Sequence, residues 1–95
     1  MAGTVIGEGL TIEGDVTAEE EVVVNGNLRG KLTTTDAVSV GSSGLVEADI
    51  TGNSLSVAGQ VTGDVTASER VDLQAGGRLI GDVKASRLTI ADGAS

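Results

Sequence analysis

Three groups of polar residues in this chain sit at spacings that invite a chemical reading. Gly26-Asn27-Leu28-Arg29-Gly30-Lys31-Leu32-Thr33 contains a Gly-Lys step of the kind that cradles phosphate. A phosphate loop also needs Gly six positions before its Lys and Ser or Thr directly after it. Here those positions hold Asn25 and Leu32, and no helical pattern follows, so nucleotide is not expected as a ligand. Gly-Asp-Val recurs at 14–16, 63–65 and 81–83, which places acids at equivalent positions, as a calcium-binding solenoid would. The nine-residue glycine–aspartate period of such proteins is missing, so solvated carboxylates beside turns are the better account. Threonines at 11, 17, 33, 34, 35, 51, 62, 66 and 89 raise an ice-binding face. That chemistry needs a regular ladder, and these residues are not expected to stack from rung to rung.

Catalysis has little to work with. His and Cys are absent, which removes the commonest general base, the usual zinc ligands and any disulfide. No nucleophile–base constellation is present, so neither enzyme activity nor a cofactor nor a metal is expected. The absence of Phe, Tyr and Trp removes base stacking, and a formal charge of −8 repels phosphate backbones, so nucleic acid is not an expected partner. The densest charge run, Glu19-Glu20-Glu21, reads as a solvated corner that opposes lateral aggregation; docking of a basic partner is the sharper alternative. Arg29, Lys31, Arg70, Arg78, Lys84 and Arg87 fall opposite mixed acids, where exposed pairs would be weak. No apolar run approaches a membrane span and no signal peptide precedes Met1, which gives the cytoplasm as the expected location.

The elements that must carry these residues are set by a repeat. Val22-Val23-Val24, Val38-Ser39-Val40, Leu55-Ser56-Val57, Val71-Asp72-Leu73 and Leu88-Thr89-Ile90 follow one another at steps of 16, 17, 16 and 17, with a weaker first copy at Thr4-Val5-Ile6. Each except the last is followed by a turn and then by an apolar–x–small–x–apolar stretch. Examples are Ile12-Glu13-Gly14-Asp15-Val16, Leu28-Arg29-Gly30-Lys31-Leu32, Val46-Glu47-Ala48-Asp49-Ile50, Val61-Thr62-Gly63-Asp64-Val65 and Leu79-Ile80-Gly81-Asp82-Val83. Period-two alternation predicts strands with one buried face, and a short fixed period predicts stacked units that cannot bury that face alone. The central Gly or Ala marks a place where only a small residue fits. The turns alternate between a short form, such as Asn25-Gly26-Asn27, and a long form, such as Gly41-Ser42-Ser43-Gly44-Leu45, so the full repeat is a doublet of 33 residues. The expected fold is all-β: a single parallel β-solenoid domain over 4–95, of about six rungs of 16–17 residues, preceded by a residual tail at 1–3. Six rungs at ~4.8 Å give a rod roughly 25–30 Å tall.

A solenoid exposes unpaired N–H and C=O groups on its terminal rungs. Only Met1-Ala2-Gly3 precedes the first rung, and the last one runs out in Ala91-Asp92-Gly93-Ala94-Ser95, so neither end shows a cap. The expected function is therefore end-to-end self-assembly, with Val5, Ile6, Leu10 and Ile12 at one end and Leu88 and Ile90 at the other as the polymerisation interface. Ile6→Arg is expected to abolish filaments while the rod stays folded. Two alternatives are a monomeric β-solenoid binding module and an enzyme like the left-handed hexapeptide acyltransferases. The second lacks support, because the six-residue beat and the histidine base are both missing.

The whole pattern resembles the bactofilin family of bacterial cytoskeletal proteins. The residues that carry the resemblance are Thr4-Val5-Ile6-Gly7-Glu8-Gly9-Leu10-Thr11-Ile12-Glu13-Gly14-Asp15-Val16, Val24-Asn25-Gly26-Asn27-Leu28-Arg29-Gly30, Val57-Ala58-Gly59-Gln60-Val61-Thr62-Gly63-Asp64-Val65 and Leu88-Thr89-Ile90-Ala91-Asp92-Gly93-Ala94. The resemblance implies a right-handed β-helix with a triangular core and nucleotide-independent, non-polar filaments formed by joining like ends. It implies a scaffold for cell shape, peptidoglycan-remodelling enzymes or chromosome-segregation proteins, at the inner face of the membrane. Membrane binding in the family runs through a short N-terminal peptide, which is almost missing here. An assembly-linked Phe that the family commonly carries just after the position of Ser95 is missing too, so the sequence is expected to be a trimmed core.

Overall fold

Every strand pairing among the described residues is parallel and joins residues 15 to 18 positions apart. That offset is one turn of a coil, and it excludes a hairpin meander, whose neighbours would be antiparallel. The computed structural model describes residues 3–94. Most of the expected tail, Met1 and Ala2, and the last residue of the expected domain, Ser95, lie outside them. The chain forms β1 (Thr4–Ile6), β2 (Thr11–Ala18), β3 (Val22–Val24), β4 (Asn27–Thr34), β5 (Val38–Val40), β6 (Leu45–Val57), β7 (Gln60–Thr62), β8 (Val65–Leu73), β9 (Arg78–Ile80) and β10 (Val83–Ile90). No helix occurs among the described residues. The fold is a parallel β-solenoid of about five turns.

Each turn has three faces. On the first, β1, β3, β5, the end of β6, the end of β8 and the end of β10 stack in that order, so Ile6, Val24, Val40, Val57, Leu73 and Ile90 form one inward column. Thr4, Val22, Val38, Leu55, Val71 and Leu88 form the parallel column beside it. The second face stacks Ile12, Leu28, Val46, Val61 and Leu79; the third stacks Val16, Leu32, Ile50, Val65 and Val83. Six strands on one face and five on the others explain why an expected six rungs become about five turns: the sixth rung contributes only its first face.

The corners follow the sequence grammar. Between the first and second faces, links of four residues (7–10, 41–44, 74–77) alternate with links of two (25–26, 58–59). Between the second and third, the backbone bends at Gly14, Gly30, Gly63 and Gly81, whose φ values lie between 122° and 137°. L-residues rarely adopt that region, and a Cβ at Gly30 would also collide with the Gly14 carbonyl oxygen. Ala48 holds the same corner without a positive φ, inside the continuous strand β6. At the third corner Thr34 is the one buried polar residue among those described. Its hydroxyl donates to the Glu20 carbonyl at 2.7 Å and accepts from the Asp36 amide at 3.2 Å.

Apart from Thr34, the buried side chains among the described residues are aliphatic, mostly Val, and β-branched residues suit a pleated, half-buried surface. The principal extents are 29 × 26 × 25 Å. The height agrees with the expected one, but a single chain is nearly as wide as it is tall, so it is a block rather than a rod. Rod shape can come only from stacking blocks.

Candidate functional site

Among the described residues, the strands that pair on one side only are β1 and β2 on the first turn and β9 and β10 on the last. Their outer edges carry unpaired backbone N–H and C=O groups, which are templates for further strands. The two ends differ in how they present side chains.

On the last turn, Leu88 and Ile90 continue inward columns of the first face, and no described residue stacks beyond them. They are 54% and 58% exposed, whereas Leu55 and Val57, two turns earlier in the same columns, are 2% and 0% exposed. This is core surface without its next layer. Leu79, Val83 and Ala85 sit beside it, half-buried.

On the first turn the expected residues separate. Ile6 is 1% exposed and belongs to the core. An Arg there would place a charge inside the first turn, so the expectation that Ile6→Arg leaves the fold intact is corrected. Ile12 points inward and is half-buried. Val5 stands on the outer wall of the first face, in the column that continues through Val23, Ser39, Ser56, Asp72 and Thr89. Leu10 occupies the four-residue corner link. Val5 and Leu10 are both exposed. The structure thus brings Leu88 and Ile90 together on one end, but leaves only Val5 and Leu10 outward at the other.

Ile80 is a further exposed apolar residue that the expected set omits. It follows Glu13, Arg29, Glu47 and Thr62 in an outward column of the second face. The signal was available: Ile80 fills the position where the other copies carry Glu, Arg, Glu and Thr.

The other polar groups resolve into outward ladders. Arg29 lies 3.8 Å from Glu13 and 3.5 Å from Glu47, one turn to either side, with all three side chains exposed. Asp15, Lys31 and Asp49 share a column on the third face, and the Asp49 carboxylate accepts the Asp64 amide at 3.2 Å. The Gly26–Thr33 stretch that faintly suggested a phosphate loop runs mainly through β4, where its amides are committed to neighbouring turns.

One expectation is overturned here. Thr17, Thr33, Thr51 and Thr66 do stack, turn upon turn, and Lys84 follows them. Their sequence steps are unequal because corners of different length fall between them. The column beside them carries Asp15, Lys31 and Asp49, so the face is charged rather than a uniform hydroxyl array.

Comparison with known proteins agrees with this architecture. The family model for bactofilin, described as polymer-forming cytoskeletal, matches residues 4–95. Bactofilin BacO of Myxococcus xanthus is 44% identical over 95 residues, covering 100% of this chain and 75% of that protein. Bactofilin BacP of the same organism is 39% identical over 92 residues, covering 97% of this chain and 38% of that protein. The crystal structure of a point mutant of bactofilin from Thermus thermophilus superposes with a TM-score of 0.87 at 30% identity, covering 93% of this chain and 98% of that one. A three-faced parallel solenoid with open terminal edges, matched by family and by fold over nearly its whole length, belongs to the bactofilin family of polymer-forming cytoskeletal proteins.

Proposed function

We propose that this chain is the subunit of a nucleotide-independent cytoskeletal filament, built by joining like ends of the solenoid into a non-polar polymer. One observation carries the reading: Leu88 and Ile90 are core positions left more than half exposed beside an open strand edge. A second last turn placed against this one would bury both residues and pair the edges. Apolar burial is the main favourable term in such association, at roughly 25 cal/mol for each Å² removed from water. The first turn, with Val5 and Leu10, is the opposite junction.

The chain acts as a scaffold, and its role is structural rather than catalytic. It works in the cytoplasm at the inner membrane face, and its cargoes belong to the peptidoglycan-remodelling or chromosome-segregation machinery. Electron microscopy of the purified protein without nucleotide is the test. Thin filaments are expected from the parent chain, and short particles with an unchanged β-sheet circular dichroism spectrum from Ile90→Arg. Filaments that persist in Ile90→Arg would remove the last turn from the interface. A parent protein that sediments as a monomer at every concentration would sink the reading.

A further inference from the structure

We propose that the junction between two first turns is gated by charge. It closes only when salt screens its carboxylates, whereas the junction between two last turns forms at any ionic strength. This inference rests on the reading that the two ends are the assembly surfaces, and its occupant is a second copy of this chain.

The asymmetry comes from where the ionisable residues fall along the solenoid. The first turn, residues 3–21, carries Glu8, Glu13, Asp15, Glu19, Glu20 and Glu21 and no Lys or Arg. All are exposed except the half-buried Glu21. Their partners do little to neutralise them. Glu20 accepts from the Thr4 hydroxyl at 3.1 Å and Glu8 from the Ser43 hydroxyl at 2.6 Å, both uncharged donors. Glu13 has a cation, Arg29 at 3.8 Å, but Arg29 is shared with Glu47. Adding the second turn brings Arg29, Lys31 and Asp36, which leaves residues 3–37 with seven acids, two bases and a net charge of −5. The last turn, residues 74–94, carries Arg78, Lys84 and Arg87 against Asp82 and Asp92, a net charge of +1.

Joining two first turns therefore brings two sets of six carboxylates together around an apolar centre that includes the half-buried Ile12, Val16 and Ala18. Attraction at that centre and repulsion at its rim oppose each other. The repulsion acts across a block 25–29 Å wide, which is comparable to the screening length of about 30 Å in about 10 mM salt. In about 1 M salt that length falls to about 3 Å and the rim charges cease to oppose contact. Two last turns meet with almost no net charge, so the same change leaves their junction nearly unaffected.

The experiment follows particle mass by light scattering and mass photometry as NaCl rises from about 10 mM to about 1 M, a range over which screening tightens about tenfold. The parent chain is expected to be mainly dimers at the low end and filaments at the high end. Ile90→Arg, which blocks the last turn, is expected to go from monomer to dimer over the same range. Replacing Glu19, Glu20 and Glu21 together by Gln keeps side-chain size and hydrogen-bonding capacity. It is expected to move the salt midpoint of the parent's filament transition down at least about threefold, because half of the first-turn carboxylates are removed. Parent filaments of equal length at both salts would overturn the charge gate and leave the end-to-end reading standing. Filaments that shorten as salt rises would also overturn it, because they would show a first turn attracted to a last turn. Absence of assembly in the parent at every salt would overturn the end-to-end reading itself, and the gate with it.

Discussion

Leu55 and Leu88 lie in one inward column, separated by Val71, and differ chiefly in whether another turn covers them. Leu55 is 2% exposed and Leu88 is 54% exposed. Leu55→Ala opens a void between Val38 and Val71, and a buried Leu→Ala change costs about 2–5 kcal/mol, so about 3 kcal/mol is expected. At this chain length each kcal/mol moves the melting temperature by roughly 4–8 °C, which gives a fall of about 12–24 °C for the dilute protein. Leu88→Ala removes a side chain already half in water and leaves no closed cavity, so about 1 kcal/mol and roughly 4–8 °C are expected. In filaments the two losses should converge, because a junction that covers Leu88 would bury it as Leu55 is buried. The assay is thermal unfolding by far-UV circular dichroism, run on dilute Ile90→Arg protein and on sedimented filaments of the parent. Equal losses for the two substitutions in dilute protein would refute the reasoning, since the last turn would then be covered within one chain. A Leu88→Ala loss as small in filaments as in dilute protein would show that assembly does not use this surface.

Three further outcomes are expected. Gly30→Ala should lower the urea midpoint more than Gly14→Ala: both residues have a positive φ, costing of order 1–3 kcal/mol for a side chain, but only at Gly30 would a Cβ also meet the carbonyl of the turn below. Arg29→Ala should change stability by less than about 1 kcal/mol in denaturant titrations, because the side chains it pairs with are exposed and salt-screened. Thr62→Lys, on the outer wall of a middle turn, should alter stability by no more than about 0.5 kcal/mol and leave filament length in micrographs unchanged.

The fold was legible in the sequence because one short grammar recurs and each copy states which residues face inward. Parallel pairing, the inward apolar positions, small corner residues and alternating turn lengths all follow from it. The ends are less legible. Alternation places Ile6 inward, but its burial depends on what the first turn packs against, which periodicity does not encode. The same alternation places Val5 on the outer wall, so the two neighbours do not share one surface. The threonine column is hidden for a different reason. Counted along the chain, Thr17, Thr33, Thr51 and Thr66 are unevenly spaced. Counted from the last apolar residue of each second stretch (Val16, Leu32, Ile50 and Val65), each is the next residue. Ladders in a solenoid are found by aligning on core positions, because the corners absorb the differences in length.

The alternation of long and short corners has a consequence for size. A shift of 33 residues carries Val24 onto Val57, Val40 onto Leu73 and Val57 onto Ile90, two turns away and facing the same way. Excising residues 41–73 would therefore join Val40 to Gln74 with both neighbours still in phase, and the block would shorten by two layers, about 9.6 Å. Duplicating the same segment would lengthen it by as much. Subunit height in this architecture is quantised. Any assembly that reads distance along such a filament has a ruler whose graduations can be added or removed whole.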